Sequence, residues 1–293
     1  MRFLGYLIYG LVLFPLSLIP LPVLYLLSDG LRFILFDLVG YRKEVIHNNL
    51  VNSFPEKSSE EIRKIEKQFY RNFCDTFFAE NIKGLSPFKT YLKRMMRFSN
   101  EELMLQLYEQ KKGIILIAGH FGNWELLGHI QLSKFIKHRF LGIYKVQSAI
   151  ADQILKISRG KSGTELIPME KVKQSFETQR DSIDAYIFIG DQSPGNPKSA
   201  YWTTFLNQET GVLFGTEKFA KIYNYAVVYT EVKREKRGKY VVSFQLVTDS
   251  PKDFKVGQIT EMHTRLLEKS IQQSPADWLW SHRRWKHRNP NKV

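Results

Sequence analysis

The run Ile114-Ile-Leu-Ile117, with Gly113 before it and Ala118-Gly119 after it, constrains the fold more than any other stretch. Four consecutive aliphatic residues leave no polar face, so they read as a strand buried on both sides. Ala118 and Gly119 let the chain turn, and Asn123 is suited to cap a helix from Trp124 to about His138. Further strands are expected at Phe140–Val146, Thr164–Pro168 and Asp184–Gly190, separated by helices at Gln147–Gly160 and Lys171–Arg180. Strands alternating with helical segments of this length predict an α/β fold, a mainly parallel central sheet flanked by helices. Beyond it, Gly211–Tyr223 and Val256–Gln273 read as helices, and Tyr225–Val232 with Tyr240–Val247 as a hairpin. The charged stretch Lys233–Lys239 is expected to form its solvated tip.

A histidine at the carboxyl end of such a strand stands where open α/β sheets bind their substrates. His120 is followed at position 125 by a glutamate. On one continuous helix the two would face about 140° apart, but a strand–turn–helix break lets the carboxylate reach the ring. A carboxylate on one ring nitrogen fixes the tautomer and raises the basicity of the other, which can then take a proton from a hydroxyl. No serine or cysteine nucleophile lies nearby, so direct attack by the substrate fits better than a covalent enzyme intermediate. The competing readings are a capped loop histidine and a first-turn acid favoured by the helix dipole.

Residues 1–57 have a different character. No charged residue occurs from Phe3 to Leu27, a length sufficient for a membrane span, yet Pro15, Pro20 and Pro22 interrupt it. The expectation is a hydrophobic anchor, either one span or a shallow broken hairpin, followed by an amphipathic helix through Leu31–Leu38. Arg32, Arg42 and Lys43 put the downstream side in the cytoplasm. A buried pair of core helices is the alternative. Residues 58–293 then form the second unit, opened by a capping box at Ser58 and Glu61 and an apolar stripe through Ile62, Ile65, Phe69, Phe73 and Phe77.

The chain has 293 residues, a net charge of +14 and a pI near 9.6, which implies anionic partners. Nucleic acid lacks any supporting zinc-finger, helix-turn-helix or RNA-binding signature. The single cysteine, Cys74, sits among phenylalanines and reads as a buried thiol, with no disulfide framework or thiolate metal site. Arg159-Gly-Lys-Ser162 is no nucleotide loop, because Leu155 stands where the first glycine belongs. Near the end, Asp277–Arg288 concentrates three tryptophans and several basic side chains, a composition suited to a membrane–water interface.

His-Phe-Gly-Asn-Trp-Glu at 120–125 resembles the His-x-x-x-x-Asp/Glu motif of the lipid A biosynthesis acyltransferase family, a branch of the glycerolipid acyltransferase superfamily. Asp191-Gln192 after a hydrophobic strand, and the Trp-x-Trp-x-His-Arg-Arg-Trp-Lys run at 278–286, extend the resemblance over nearly the whole chain. It implies His120 and Glu125 as the catalytic pair, with Asn123, Lys145, Arg159, Asp191 and Gln192 in the substrate-binding set. Lys145 and Gln147 depart from the family's Arg and Asn; lysine keeps the charge but loses the bidentate fork suited to phosphate.

The implied enzyme is a membrane-bound O-acyltransferase at the cytoplasmic face of the inner membrane, needing no metal or cofactor. Its acyl-thioester co-substrate would be acyl carrier protein or coenzyme A, and its acceptor an anionic lipid, a lipid A precursor. Another lysophospholipid, glycolipid or aminolipid acceptor is the nearest alternative. A metal-dependent hydrolase built on His120, Glu125 and His129, and a non-catalytic membrane-surface binder driven by charge, are the rivals from other classes.

Overall fold

The computed structural model describes residues 2–146, 148–160, 163–178, 181–290 and 292. Nine strands are present among the described residues: β1 (Met96–Ser99), β2 (Ile114–Ala118), β3 (Arg139–Tyr144), β4 (Glu165–Pro168), β5 (Asp184–Ile189), β6 (Tyr201–Phe205), β7 (Gln208–Val212), β8 (Ala226–Lys236) and β9 (Lys239–Thr248). Seven form one sheet in the order β1-β9-β8-β2-β5-β3-β4, with β2, β3, β4, β5 and β8 parallel. Only β9 and the edge strand β1 run the other way. The α/β class and the mainly parallel sheet therefore hold.

Every residue of β2 is buried, because alternate side chains enter cores on opposite faces. Ile115 and Ile117 join Tyr186, Val227, Phe176, Ala220, Ile259 and Leu267 on one side. Ile114 and Leu116 join Ile187, Val228, Met104, Leu107, Leu126 and Leu127 on the other. The first core continues without a break into Phe36, Ile46, Leu50 and Phe54, so apolar packing crosses residue 57.

The capping box at Ser58 and Glu61 opens the helix Ser59–Cys74, and Cys74 is buried. This helix runs on through a π-helical stretch, Asp75–Glu80, into Asn81–Gly84. At the N-terminus, Gly5–Leu18 and Leu21–Leu38 form two helical arms bent by 114°. Pro20 cannot donate to the preceding turn, and the carbonyls left there are met by the Lys83 ammonium, at 2.8 Å from Ser17 O and 2.9 Å from Ile19 O. No single helix among the described residues is long and apolar enough to cross a bilayer. Many of the large apolar side chains exposed on the protein lie on these arms, including Leu11, Leu26, Phe33, Ile34 and Leu38.

Several expectations need correction. Trp124–Leu132 is a 3-10 helix rather than an α-helix to His138, and Asn123 makes no cap bond. Gly211 lies within β7, which ends at Val212, and the following helix begins only at Gly215. A tight turn at Leu206-Asn207, both at positive φ, pairs β6 with β7. Contacts from outside hold that turn, with Glu268 accepting from Leu206 N at 2.5 Å and Asn207 donating to Ser53 O at 3.0 Å. The charged hairpin tip is not simply solvated. Arg234 is buried against Asp75 and Glu80, and Arg237 donates to Asp29 and Asp75. Two of the three C-terminal tryptophans are likewise not at a surface: Trp278 and Trp280 are buried and pack edge-on at 4.7 Å, and Trp285 is half-buried.

Candidate active site

β2 and β5 are adjacent parallel strands, and Ala118 at the end of one lies beside Ile189 at the end of the other. His120 and Asp191 each follow by two residues, so equal offsets on neighbouring strands bring them together at the carboxyl edge of the sheet. His120 Nδ1 is 2.6 Å from Asp191 Oδ1, and the His120 amide donates to Asp191 Oδ2 at 2.8 Å. Trp278 Nε1 donates to the same Oδ2 at 2.7 Å. Asp191 is thus a buried carboxylate with three donors around it. Burial works against its charge, but the His120 ring and the bonds from His120 and Trp278 prevail, holding its carboxyl down to about 2.

An ionised Asp191 only accepts, so the bonded Nδ1 of His120 carries a proton. The neutral ring then has its lone pair on Nε2, where the Gln192 side-chain amide stands at 3.2 Å. The ring is only 17% exposed, and Trp124 meets it edge-to-face at 4.9 Å. A basic nitrogen is therefore fixed in direction, shielded and opposed by a displaceable amide. This arrangement can accept a proton from a hydroxyl brought to Nε2.

The turn carrying His120 is fixed from the other side by the C-terminal segment. Gly122 N donates to Asp277 O at 2.8 Å, Leu279 N donates to His120 O at 3.1 Å, and Phe121 bridges Trp278 as an isolated antiparallel pair. Gly122 adopts φ +59, and a Cβ there would fall 1.8 Å from Val232 O. Only glycine fits both the left-handed backbone and this close approach. Further along, His282 Nε2 accepts from Ser193 N at 3.0 Å, which ties down the loop after Gln192. Burial pushes the His282 imidazole down to about 4, consistent with a neutral acceptor.

Behind Asp191, a small cavity is lined in part by Tyr229, His263, Leu267 and Arg284. Burial lowers the Arg284 guanidinium to about 10, and it donates to Thr210 Oγ1 at 2.7 Å and Gly211 O at 2.8 Å.

The predicted site residues divide clearly. His120, Asp191 and Gln192 meet, and Asp191 supplies the carboxylate on Nδ1. Glu125 is half-buried in the first turn of the 3-10 helix. Asn123 is 1% exposed and turned inward, donating to Glu80 Oε2 at 2.8 Å, so it faces the protein rather than a ligand. Lys145 is exposed just beyond β3, at the same sheet edge. The Arg159 backbone belongs to the helix Ala149–Gly160; its side chain, like all of Gln147, lies outside the described residues. Glu80 and the hydrogen bond from Trp278 escaped the sequence reading. The tryptophan motif was visible, but nothing in its spacing says which side of it is buried.

The family model described as bacterial lipid A biosynthesis acyltransferase matches residues 1–287. The chain belongs to that family. It is 24% identical over 274 residues to the lipid A biosynthesis lauroyltransferase of Escherichia coli (strain K12), covering 92% of this chain and 87% of that protein. It is 22% identical over 273 residues to the lipid A biosynthesis palmitoleoyltransferase of the same organism, with the same coverage. A lipid A biosynthesis acyltransferase of Haemophilus influenzae is 24% identical over 281 residues, or 94% of this chain and 88% of that one. This family member is an acyltransferase. Among the described residues no group of three or more His, Cys, Asp or Glu side chains is arranged to hold a metal ion.

Proposed function

We propose that this acyltransferase moves a fatty acyl group from acyl carrier protein to a hydroxyl of a lipid A precursor, at the cytoplasmic surface of the inner membrane. The observation that carries the reading is the 2.6 Å contact of His120 Nδ1 with Asp191, which leaves Nε2 as the base. The acceptor hydroxyl displaces the Gln192 amide and gives its proton to Nε2 as its oxygen attacks the thioester carbonyl. Backbone donors and basic side chains at the sheet edge stabilise the resulting oxyanion. Collapse breaks the carbon–sulfur bond, and the departing thiolate takes the proton from His120. The orienting role read for Glu125 falls to Asp191, and Lys145, exposed at the same sheet edge, is a candidate contact for the anionic acceptor.

The acceptor class rests on the family and on relatives named for lipid A biosynthesis. An acidic carrier suits a chain of net charge +14. The exposed apolar side chains of the bent N-terminal arms suit insertion into one leaflet, whereas Trp278 and Trp280 near the C-terminus are buried. The test is a transfer assay with the purified full chain in vesicles, fatty acyl carrier protein and a lipid A precursor, with His120→Ala alongside. Transfer that vanishes in the variant supports the reading. Transfer to another lysophospholipid, glycolipid or aminolipid instead would replace the acceptor and keep the chemistry.

A further inference from the structure

We propose that Glu80 is a positioning residue for the catalytic turn, and that it links the geometry of that turn to the seating of the N-terminal apolar arms. The activity it supports is the acyl transfer described above, and the linkage itself rests on geometry alone.

The Glu80 side chain is wholly buried, and four donors surround its carboxylate. Tyr240 Oη donates at 2.5 Å and Asn123 Nδ2 at 2.8 Å to Oε2; Tyr25 Oη at 3.0 Å and Arg234 Nη1 at 3.4 Å donate to Oε1. A carboxylate has about four acceptor positions, and here all are used. Tyr25 belongs to the apolar arm, in the helix Leu21–Arg32, and Asn123 stands three residues after His120. Asn123 Oδ1 has no hydrogen-bond partner among the described residues, so the side-chain hold on this part of the turn runs to Glu80.

The π-helical stretch explains how one segment reaches both. Asp75 and Glu80 are five residues apart and would face about 140° apart on an α-helix. Hydrogen bonding from i to i+5 brings them over one another, and π-helical insertions recur at functional sites. Asp75 accepts from Ser28 Oγ at 2.9 Å and from Arg237, whose guanidinium also bonds Asp29 and covers the Tyr25 ring at 4.1 Å. The arm that carries the exposed apolar side chains is therefore pinned to the same buried network that holds Asn123. Moving the arm pulls on Glu80, and Glu80 pulls on the turn.

The test uses the full chain in detergent micelles. Tyr25→Phe removes one donor to Glu80 while keeping the ring beneath Arg237, and Glu80→Gln keeps the volume while removing the charge. For each variant kcat, KM and melting temperature are measured, together with the low-field proton resonance of His120 Nδ1, assigned by its loss in His120→Ala. Expected, at a temperature well below the melting transition of each variant, is a fall in kcat of about tenfold with KM within about twofold of wild type and a shifted or broadened Nδ1 resonance. Unchanged kcat and resonance in both variants would overturn the proposal. So would a kcat loss that follows only a lowered melting temperature, with the resonance unmoved. If the wild type transfers no acyl group, the resonance still decides the positioning role, while the acyl-transfer reading fails by itself.

Discussion

The indole of Trp278 donates to Asp191 Oδ2 at 2.7 Å, so a residue from the last strap of the chain braces the carboxylate that bonds His120. Part of an aromatic, basic terminus that looks like a membrane contact is thereby interior, and its first tryptophan holds the carboxylate that orients the histidine. Trp278→Phe keeps the ring but leaves one buried carboxylate lone pair unmet, a loss of about 1–3 kcal/mol. The expected outcome is a lower melting temperature in thermal unfolding and a reduced kcat with little change in KM.

Asp191→Asn removes the acceptor that sets the His120 tautomer, and its amide can donate to Nδ1 instead, leaving the proton on Nε2. Single-turnover kinetics should show a loss of about 10²–10⁴-fold in the chemical step, the usual scale for an acid–base partner. Glu125→Gln, in the same assay, should act mainly on KM for the acceptor. Should Glu125→Gln instead reproduce the Asp191→Asn loss, Glu125 would be the orienting carboxylate after all.

Gly122→Ala forces a side chain into the left-handed region, at about 1–2 kcal/mol, and against Val232 O, where a Cβ would stand 1.8 Å away. The turn must move to accept it. Activity should fall to background while far-ultraviolet circular dichroism stays close to wild type, since the strands themselves are untouched.

Acid should destabilise the fold through two buried histidines that take no part in the proton transfer. Burial pushes both His138 and His263 down to about 4. In the unfolded chain they protonate near 6.5, so their contribution to stability is present above that pH and is lost as pH falls through 4. Each can cost up to about 3 kcal/mol over this window. The melting temperature should drop steeply between about pH 6.5 and pH 4, and His263→Asn should flatten that slope even if its stability at neutral pH is lower.

The exposed side chains of the bent arms predict vesicle binding. Leu11, Leu26 and Leu38 are 72%, 71% and 67% exposed, and burying apolar area of this kind contributes about 25 cal/mol per Å². Changing all three to serine should reduce co-sedimentation with anionic vesicles without lowering the melting temperature. Undiminished sedimentation would move the membrane contact elsewhere.

The sequence by itself determined the principal strands of the sheet and the edge where chemistry sits. The aliphatic run of Ile114–Ile117 reads as a strand buried on both faces, and the apolar run in Asp184–Ile189 as a second, so parallel pairing in one sheet brings His120 and Asp191 out at one edge. The capping box at Ser58 is a local hydrogen-bond exchange and was equally legible. Which strands are neighbours was not. β2 and β5 are separated along the chain by β3 and β4, and only their pairing makes Asp191, rather than the nearer Glu125, the partner of His120 Nδ1.

The same holds for Asn123, a good helix cap by type that instead answers a buried carboxylate 43 residues earlier. It holds too for Trp278 and Arg234, whose aromatic or charged character suggested a surface. Spacing encodes what a residue can reach within its own element. What it meets across the core depends on which elements pack together, and that was decided by the tertiary structure alone.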